Sequence, residues 1–207
     1  MNYDLFPPSG EHSQACSRIE MADGEVYLFP SLFSEREAKR LFGVLRREIL
    51  WRQESIKLYG KVNQLPRLTA WYGDPGTTYR YSGITVEPSP WMPALLEIRA
   101  RIEQVSSARF NSVLLNLYRD GSDSMAWHAD DEPELGRNPV IGSVSFGQCR
   151  TLQLKHKTEK DSRQNIPLPN GSYLLMQGPM QHHWLHQVAK SRRPLGERIN
   201  LTYRKIL

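Results

Sequence analysis

Apolar residues recur at helical spacing in two stretches of the first half of the chain. Ser34 and Glu37 have the spacing of a capping box. Apolar positions follow them at intervals of three and four residues, at Ala38, Leu41, Phe42, Leu45 and Ile49. A second apolar stripe covers residues 93–105, where Pro93 suits a first helical turn. The pattern therefore predicts two helices, each with one buried face.

From Phe110 onward the period of the pattern changes from helical to two. Short strand-like runs separated by turn signals cover residues 113–118, 140–146, 151–155, 172–176 and 199–203. Helices followed by short strands predict an α+β fold, in which a β-sandwich or barrel packs against the N-terminal helices. A region of loops and hairpins is expected between the two helices. Such an architecture leaves an open mouth in which a site can lie.

Length and composition indicate one globular domain. The chain has 207 residues, of which 39% are hydrophobic and 24% charged. Residues 1–25 lack periodicity and are expected to form a loosely ordered leader. Residues 26–207 are expected to form the domain, with helices and hairpins in 26–109 and the strand-rich core in 110–207.

Charge and targeting signals indicate the cellular compartment of the protein and the kind of partner it binds. No apolar run is long enough for a membrane span, and the first 20 residues do not resemble a secretory signal. We therefore expect an intracellular protein, cytoplasmic or, in a eukaryote, nuclear. Cys16 and Cys149 alone do not suggest a disulfide framework. The net charge of +5 weakly favours a polyanionic partner.

One short segment carries candidate metal ligands. His128 and Asp130 are two residues apart, so in extended chain their side chains point to the same side. A third ligand could come from His182, His183 or His186. Two histidines and one carboxylate form the facial arrangement of non-haem Fe(II) oxygenases. Two alternatives remain: the residues serve ordinary surface hydrogen bonds, or His182 and His186 form a helical zinc site. His12 and His156 have no partner pattern and are expected to be exposed.

The stretch before the C-terminus alternates strictly between polar and apolar residues. As a strand it would present Arg198, Asn200, Thr202 and Arg204 on one face. Guanidinium groups pair well with carboxylates, so this face suits a dicarboxylate, although it could equally be a solvated surface. Asn116 and Tyr118, also two apart, could add hydrogen bonds from a neighbouring strand.

Several motifs in a fixed order resemble the AlkB family of nucleic-acid dealkylases. They include His128-Ala129-Asp130-Asp131-Glu132, the downstream His186, and Arg198-Ile199-Asn200-Leu201-Thr202-Tyr203-Arg204. The segments Leu58-Tyr59-Gly60-Lys61, Pro66-Arg67, Tyr72-Gly73-Asp74 and Ser143-Val144-Ser145-Phe146-Gly147 are most similar to the branch that repairs alkylated bases in duplex DNA. The resemblance implies a double-stranded β-helix, or jelly-roll, core with a nucleotide-recognition hairpin region.

The resemblance also implies a cofactor, a cosubstrate and a reaction. Fe(II) would be held by His128, Asp130 and His186, with 2-oxoglutarate and O₂ as cosubstrates. Arg198, assisted by Tyr118 and Asn116, would hold the distal carboxylate of 2-oxoglutarate. The cradle would be completed by Asn200, Thr202 and Arg204. Oxidative dealkylation would yield succinate, CO₂, an aldehyde and the repaired base.

Substrate contacts are implied in two hairpins and beside the metal. Tyr59 would fill the gap left by an extruded base, although the family pattern leads us to expect phenylalanine there. Gly60 would allow the turn and Lys61 would approach a phosphate. A lid over the base is implied at Tyr79, Arg80 and Tyr81, with Arg67 and Asp131 nearby. These tyrosines could instead be a hairpin tip and hairpin core residues, and Asp131 a surface cap.

The expected partner is alkylated DNA, with duplex favoured over single strands, bound by a monomer. Three alternatives stay open on the sequence alone. The first is the same chemistry on RNA or another alkylated substrate, and the second is a zinc hydrolase. The third is a noncatalytic nucleic-acid-binding module on the same scaffold.

Overall fold

Both predicted helices are present in the computed structural model, which describes residues 15–58, 61–77, 79–81 and 84–207. Helix α1 spans Glu35–Glu48 and helix α2 spans Pro93–Val105. The capping box before α1 is formed: the Glu37 backbone N–H donates to the Ser34 hydroxyl, and the Ser34 backbone N–H donates to the Glu37 carboxylate, at 3.3 and 2.9 Å. A third, short helix, α3, spans Met180–His183.

Antiparallel strands form two main sheets and two small hairpins. The large sheet consists of β1 Ser17–Ile19, β2 Glu25–Phe29, β5 Leu68–Gly73, β8 Ser112–Tyr118, β10 Ile141–Gly147, β13 Ser172–Gln177 and β15 Arg198–Arg204. The small sheet consists of β9 Met125–His128, β11 Arg150–His156, β12 Arg163–Leu168 and β14 Trp184–Val188. The strand order is β1-β2-β13-β10-β15-β8-β5 in the seven-stranded large sheet and β12-β11-β14-β9 in the four-stranded small sheet. The hairpins are β3 Ser55–Leu58 with β4 Lys61–Gln64, and β6 Tyr79–Tyr81 with β7 Ile84–Val86.

The two faces of the large sheet take part in different hydrophobic cores. On one face, Ile199, Leu201 and Tyr203 of β15 are fully buried in a cluster that also contains Leu41 of α1 and Ile98 of α2. A second buried cluster lies between the two sheets, with members such as Leu154, Met176 and Trp184. The helices thus cover one sheet, and the two sheets enclose a separate interior. The predicted α+β, double-stranded β-helix fold with N-terminal helices is confirmed.

The expectation of a loosely ordered leader up to residue 25 is wrong for its last part. β1 pairs with β2 and so extends the large sheet at its edge. The Trp184 indole N–H donates to the Ala22 carbonyl at 2.9 Å, which ties the turn between these strands to the small sheet. A polar segment such as β1 becomes ordered because its backbone hydrogen bonds extend a sheet whose core is formed by other residues. Residues 1–14 lie outside the described part.

The five predicted strands are confirmed as β8, β10, β11, β13 and β15, with ends shifted by no more than one residue. The strands that were not predicted include β2, β5, β9, β12 and β14. Within the residues that the structure describes, no helix combines the length and apolar character needed to cross a membrane.

Candidate active site

Three side chains predicted as metal ligands come together at the open end of the two-sheet interior. His128 ends β9 and pairs in register with His186 of β14, so both imidazoles lie on the same side of the small sheet. Asp130 follows two residues later in the loop. One potential ligand atom from each of the three side chains lies within 4.8 Å of the others. The two imidazole centroids are 4.1 Å apart.

The protonation states suit a divalent cation. His128 Nδ1 lies 2.9 Å from the Ala126 carbonyl, and a hydrogen bond to this oxygen places the proton on Nδ1 and leaves the Nε2 lone pair for a ligand bond. Burial, reinforced by His128, lowers the pKa of His186 to about 3. Burial alone would raise the pKa of Asp130, but the positive charge of Arg204 and the neighbouring imidazoles outweigh it and lower that pKa to about 2. Near neutral pH the site therefore offers a carboxylate and a neutral imidazole, as Fe(II) requires.

Two further residues hold Asp130 in place. Arg204 Nη2 donates to Asp130 Oδ1 at 2.7 Å. The Asp130 backbone N–H donates to the side-chain oxygen of Gln181 at 3.0 Å, and Gln181 is only 1% exposed. Sequence reasoning missed Gln181, because only the histidines of its segment were considered as site residues. Its position beside them was the only signal that could have pointed to it.

A cavity of about 480 Å³, its open mouth included, extends from these ligands into the space between the sheets. The polar face of β15 lines it, because Arg198, Asn200 and Thr202 lie opposite Tyr118, Asn116 and Leu114 of β8 in register. All nine residues predicted to hold metal or cosubstrate contribute to its wall: Asn116, Tyr118, His128, Asp130, His186, Arg198, Asn200, Thr202 and Arg204. Ser143, which was not predicted, also lines it.

Arg198 is a buried cation that faces this cavity. It is 1% exposed, its Nη2 donates to the Ser145 hydroxyl at 2.9 Å, and its guanidinium carbon lies 5.1 Å from the centre of the Tyr118 ring. Among the described residues, its Nε and Nη1 atoms have no hydrogen-bond partner. A buried guanidinium with free donors is costly unless an anion meets it. This end of the cavity therefore fits a carboxylate ligand.

The neighbouring polar side chains are held by one another. Asn200 Nδ2 donates to the Ser143 hydroxyl at 2.8 Å, and the Thr202 hydroxyl donates to Asn200 Oδ1 at 3.2 Å. Asn116 Oδ1 accepts from Arg67 Nε at 2.7 Å. Arg67, expected beside the substrate base, is 7% exposed and lies against the cavity wall. These bonds fix the shape of the wall even without a ligand.

Comparison with known proteins decides the family. Residues 25–204 match the model of the 2OG-Fe(II) oxygenase superfamily. The chain belongs to this superfamily. It is 38% identical to the human DNA oxidative demethylase ALKBH2, over 97% of this chain and 81% of that protein. It is also 42% identical to the bovine alpha-ketoglutarate-dependent dioxygenase alkB homolog 3, over 87% of this chain and 66% of that protein. The chain is therefore a member of the AlkB family.

Solved structures of the superfamily share the fold at low sequence identity. A structure of OsALKBH1 superposes with a TM-score of 0.60 at 16% identity, covering 91% of this chain and 100% of that one. A Pseudomonas putida prolyl-4-hydroxylase gives a TM-score of 0.56 at 15% identity, covering 87% of this chain and 92% of that one. Family and cavity together make the chain an Fe(II)- and 2-oxoglutarate-dependent dioxygenase that uses O₂.

Residues predicted to contact the substrate of this oxygenase are described only in part. Tyr59 and Gly60 lie outside the described residues. Lys61 belongs to β4, and Tyr79, Arg80 and Tyr81 form β6, so the expected hairpins exist as backbone. Asp131 is exposed beside the metal site, where Lys157 Nζ lies 3.3 Å from its Oδ2. Their contacts with a base stay a prediction.

The remaining histidines do not form the alternative zinc site. α3 ends at His183 and His186 lies in β14, so His182 and His186 are not one turn apart on a helix.

The expectation that His156 is exposed is wrong, since it is 7% exposed. It lies within ligand distance of Asp23 and His183, but its Nδ1 accepts the backbone N–H groups of two following residues, at 3.3 and 3.0 Å. Because Nδ1 accepts these bonds, the ring proton of neutral His156 is on Nε2. A protonated Nε2 has no lone pair with which to bind a metal.

Proposed function

We propose that this chain removes alkyl groups from nitrogen atoms of DNA bases by Fe(II)- and 2-oxoglutarate-dependent oxidation. One observation carries the proposal: three ligand atoms within 4.8 Å open onto the same cavity as the buried, partly unpaired Arg198. A metal and a dicarboxylate can thus be bound side by side. Bound iron supplies the activation of O₂ that side chains cannot provide.

Each residue of the cavity takes a defined part. His128, Asp130 and His186 would hold Fe(II), which would supply the oxidation chemistry that uses the 2-oxo acid and O₂. Arg198 binds the distal carboxylate of 2-oxoglutarate, with Tyr118 beside it. Asn116, Asn200 and Thr202 complete the cradle, while Arg204 keeps Asp130 ionised and oriented.

The overall reaction balances without any further reductant. 2-Oxoglutarate loses CO₂ and becomes succinate, taking up one oxygen atom of O₂, and the other oxygen enters a C–H bond of the alkyl group. The resulting N-hydroxyalkyl group loses the base and leaves as an aldehyde. The protein positions the alkyl carbon near the metal and keeps bulk water out of the cavity.

DNA is the substrate that the relatives and the charge favour. The human relative is named a DNA oxidative demethylase, and the chain carries a formal charge of +5. In the sequence, Tyr59 and Gly60 stand between β3 and Lys61, the first residue of β4, and we propose that Tyr59 replaces a base extruded from a duplex while Lys61 approaches a phosphate. We therefore favour duplex DNA over single strands, acted on by a monomer. Arg67, Tyr79, Arg80, Tyr81 and Asp131 are proposed to surround the extruded base.

The proposal is tested by asking whether the protein converts 2-oxoglutarate to succinate only when an alkylated substrate is present. The protein is prepared without oxygen and supplied with Fe(II), 2-oxoglutarate and matched oligonucleotides with and without N-methylated bases. After O₂ is admitted, succinate and formaldehyde should form in equal amounts only with methylated DNA. Duplex DNA, single-stranded DNA and RNA are compared, and faster turnover of RNA would replace the DNA assignment with the RNA one.

A matched pair of histidine variants separates chemistry from folding. His128→Ala removes a proposed ligand, whereas His182→Ala removes an exposed histidine near the same site. The first should abolish turnover and the second should leave it within about twofold, because surface substitutions rarely disturb a site. Full turnover in His128→Ala would overturn the proposed metal site.

A further inference from the structure

Two guanidinium groups, those of Arg198 and Arg150, pack against the ring of Tyr118. The guanidinium carbon of Arg150, the first residue of β11, is 5.6 Å from the ring centre, and that of Arg198 is 5.1 Å away. Arg150 is 5% exposed and Tyr118 is 2% exposed. The phenol ring is therefore packed by two buried cations, of which only Arg198 lines the cavity.

Arg150 is fixed by backbone carbonyl groups from two separate loops. Its Nη1 donates to the Asp120 carbonyl at 3.2 Å. Its Nη2 donates to the carbonyls of Asp123 and Ala189, at 3.1 and 2.7 Å. These bonds join the turn after β8 to the chain after β14. They satisfy much of the guanidinium without neutralising its charge.

The negative charges of Asp123 and Asp120 act on Arg150, but among the described residues neither cation beside Tyr118 is paired directly with a carboxylate. Within the described part of the chain, neither Arg150 nor Arg198 forms a salt bridge. The nearby Asp123 carboxylate is bound by Arg119, through bonds of 2.8 Å to each of its oxygens. Burial lowers the pKa of Arg198 and the charge of Arg150 adds to this shift, while Tyr118 opposes it. Two cations that form no direct ion pair attract an anion to this end of the cavity more strongly than one does.

We infer that Arg150 is a positioning residue for the cosubstrate. It holds Tyr118 against Arg198 and adds positive charge at the end of the cavity that takes the distal carboxylate, without touching the cosubstrate. The inference rests on the use of 2-oxoglutarate proposed above. It explains why a buried arginine with no acidic partner is placed behind a ring of the cavity wall.

The experiment compares two acids that differ only in the distal carboxylate. 2-Oxoglutarate and 2-oxopentanoate share the 2-oxo acid group and the chain length. Their dissociation constants are measured by calorimetry on Mn(II)-loaded protein without O₂, so the readout is binding and not activity. The ratio of the two constants reports the contribution of the distal carboxylate, and a general loss of structure would not change it selectively.

Three variants of Arg150 and one control are compared. Arg150→Met removes both charge and hydrogen bonds, Arg150→Gln removes the charge but keeps a donor, and Arg150→Lys keeps the charge. Arg119→Met is the control, because Arg119 lies at the same turn but is already paired with Asp123. Circular dichroism establishes which variants fold.

Arg150→Met and Arg150→Gln should lower the preference for 2-oxoglutarate over 2-oxopentanoate by about tenfold. This is the low end of the effect seen when residues that position a direct ligand are removed. Arg119→Met should keep the preference within about threefold of wild type, and Arg150→Lys should retain more of it than the neutral variants, because lysine keeps the charge but not the planar set of donors. A folded neutral variant with an unchanged ratio overturns the inference, and so does a lysine variant that loses the preference. If wild type binds neither acid, the cosubstrate assignment itself fails.

Discussion

Replacing Arg198 with methionine separates its role in binding from its role in folding. The substitution removes a charge-assisted hydrogen bond to Ser145, worth about 1.5–3 kcal/mol, and a contact with Tyr118 worth about 2 kcal/mol. It also removes the cost of burying a guanidinium with two free nitrogens, which is several kcal/mol. These contributions nearly cancel. Without cosubstrate, we expect the free energy of unfolding to change by less than about 1 kcal/mol.

With cosubstrate the two proteins should behave differently. At 100 times its dissociation constant, 2-oxoglutarate stabilises a protein that binds it only when folded by about 2.7 kcal/mol. For a domain of this size that corresponds to a rise in Tm of about 5–10 °C. Wild type should show this rise and Arg198→Met should not, in thermal unfolding of the Mn(II)-loaded proteins. A variant that loses more than about 3 kcal/mol without cosubstrate would refute the reasoning, as would one that 2-oxoglutarate still stabilises.

Three further predictions concern support of the site and of the fold. Gln181→Leu should weaken Mn(II) binding by about tenfold, because the Asp130 backbone loses its hydrogen bond; unchanged affinity by calorimetry would exclude this role. Asp123→Asn should destabilise the protein by about 2 kcal/mol at pH 7 in urea unfolding. Burial raises the pKa of Asp123, but Arg119 outweighs it and lowers that pKa, so this stability is present above the ordinary carboxyl pKa and is lost as pH falls through the lowered one. The difference between the two proteins should therefore shrink below about pH 3.9, and a difference independent of pH would contradict the charge-based explanation. Ser34→Ala should cost about 1 kcal/mol, seen as a Tm lower by about 2–4 °C, because the capping box of α1 is lost; an unchanged Tm would mean that the cap contributes nothing.

The alternation along β15 allowed the site to be predicted from sequence. A period of two assigns each residue to one of two faces, so the spacing alone groups Arg198, Asn200 and Thr202 on one face. The pattern did not show that this polar face is buried. A solvated face has the same alternation, and only the small sheet packed over it makes it the wall of a cavity.

The residues that sequence reasoning missed or misplaced are buried by contacts distant in the chain. Arg150 looks like an ordinary surface cation, but loops far from it in sequence enclose it. His156 was expected to be exposed for the same reason. Local periodicity carries no information on such enclosure, since it depends on how sheets and loops meet. β14 was missed because its five residues are too few for a clear alternation next to three histidines.

β15 couples the stability of the fold to the geometry of the site. Its residues Ile199, Leu201 and Tyr203 are anchored in the core beneath the helices, and the Tyr203 hydroxyl donates to the Leu95 carbonyl of α2 at 2.9 Å. A slip of one residue in register would turn these apolar side chains toward the cavity and Arg198 toward the helices. The register that buries the apolar face is therefore the same one that presents the guanidinium to the cosubstrate. Because packing of the helices enforces this register, the cation stays aimed into the cavity even when no anion is bound.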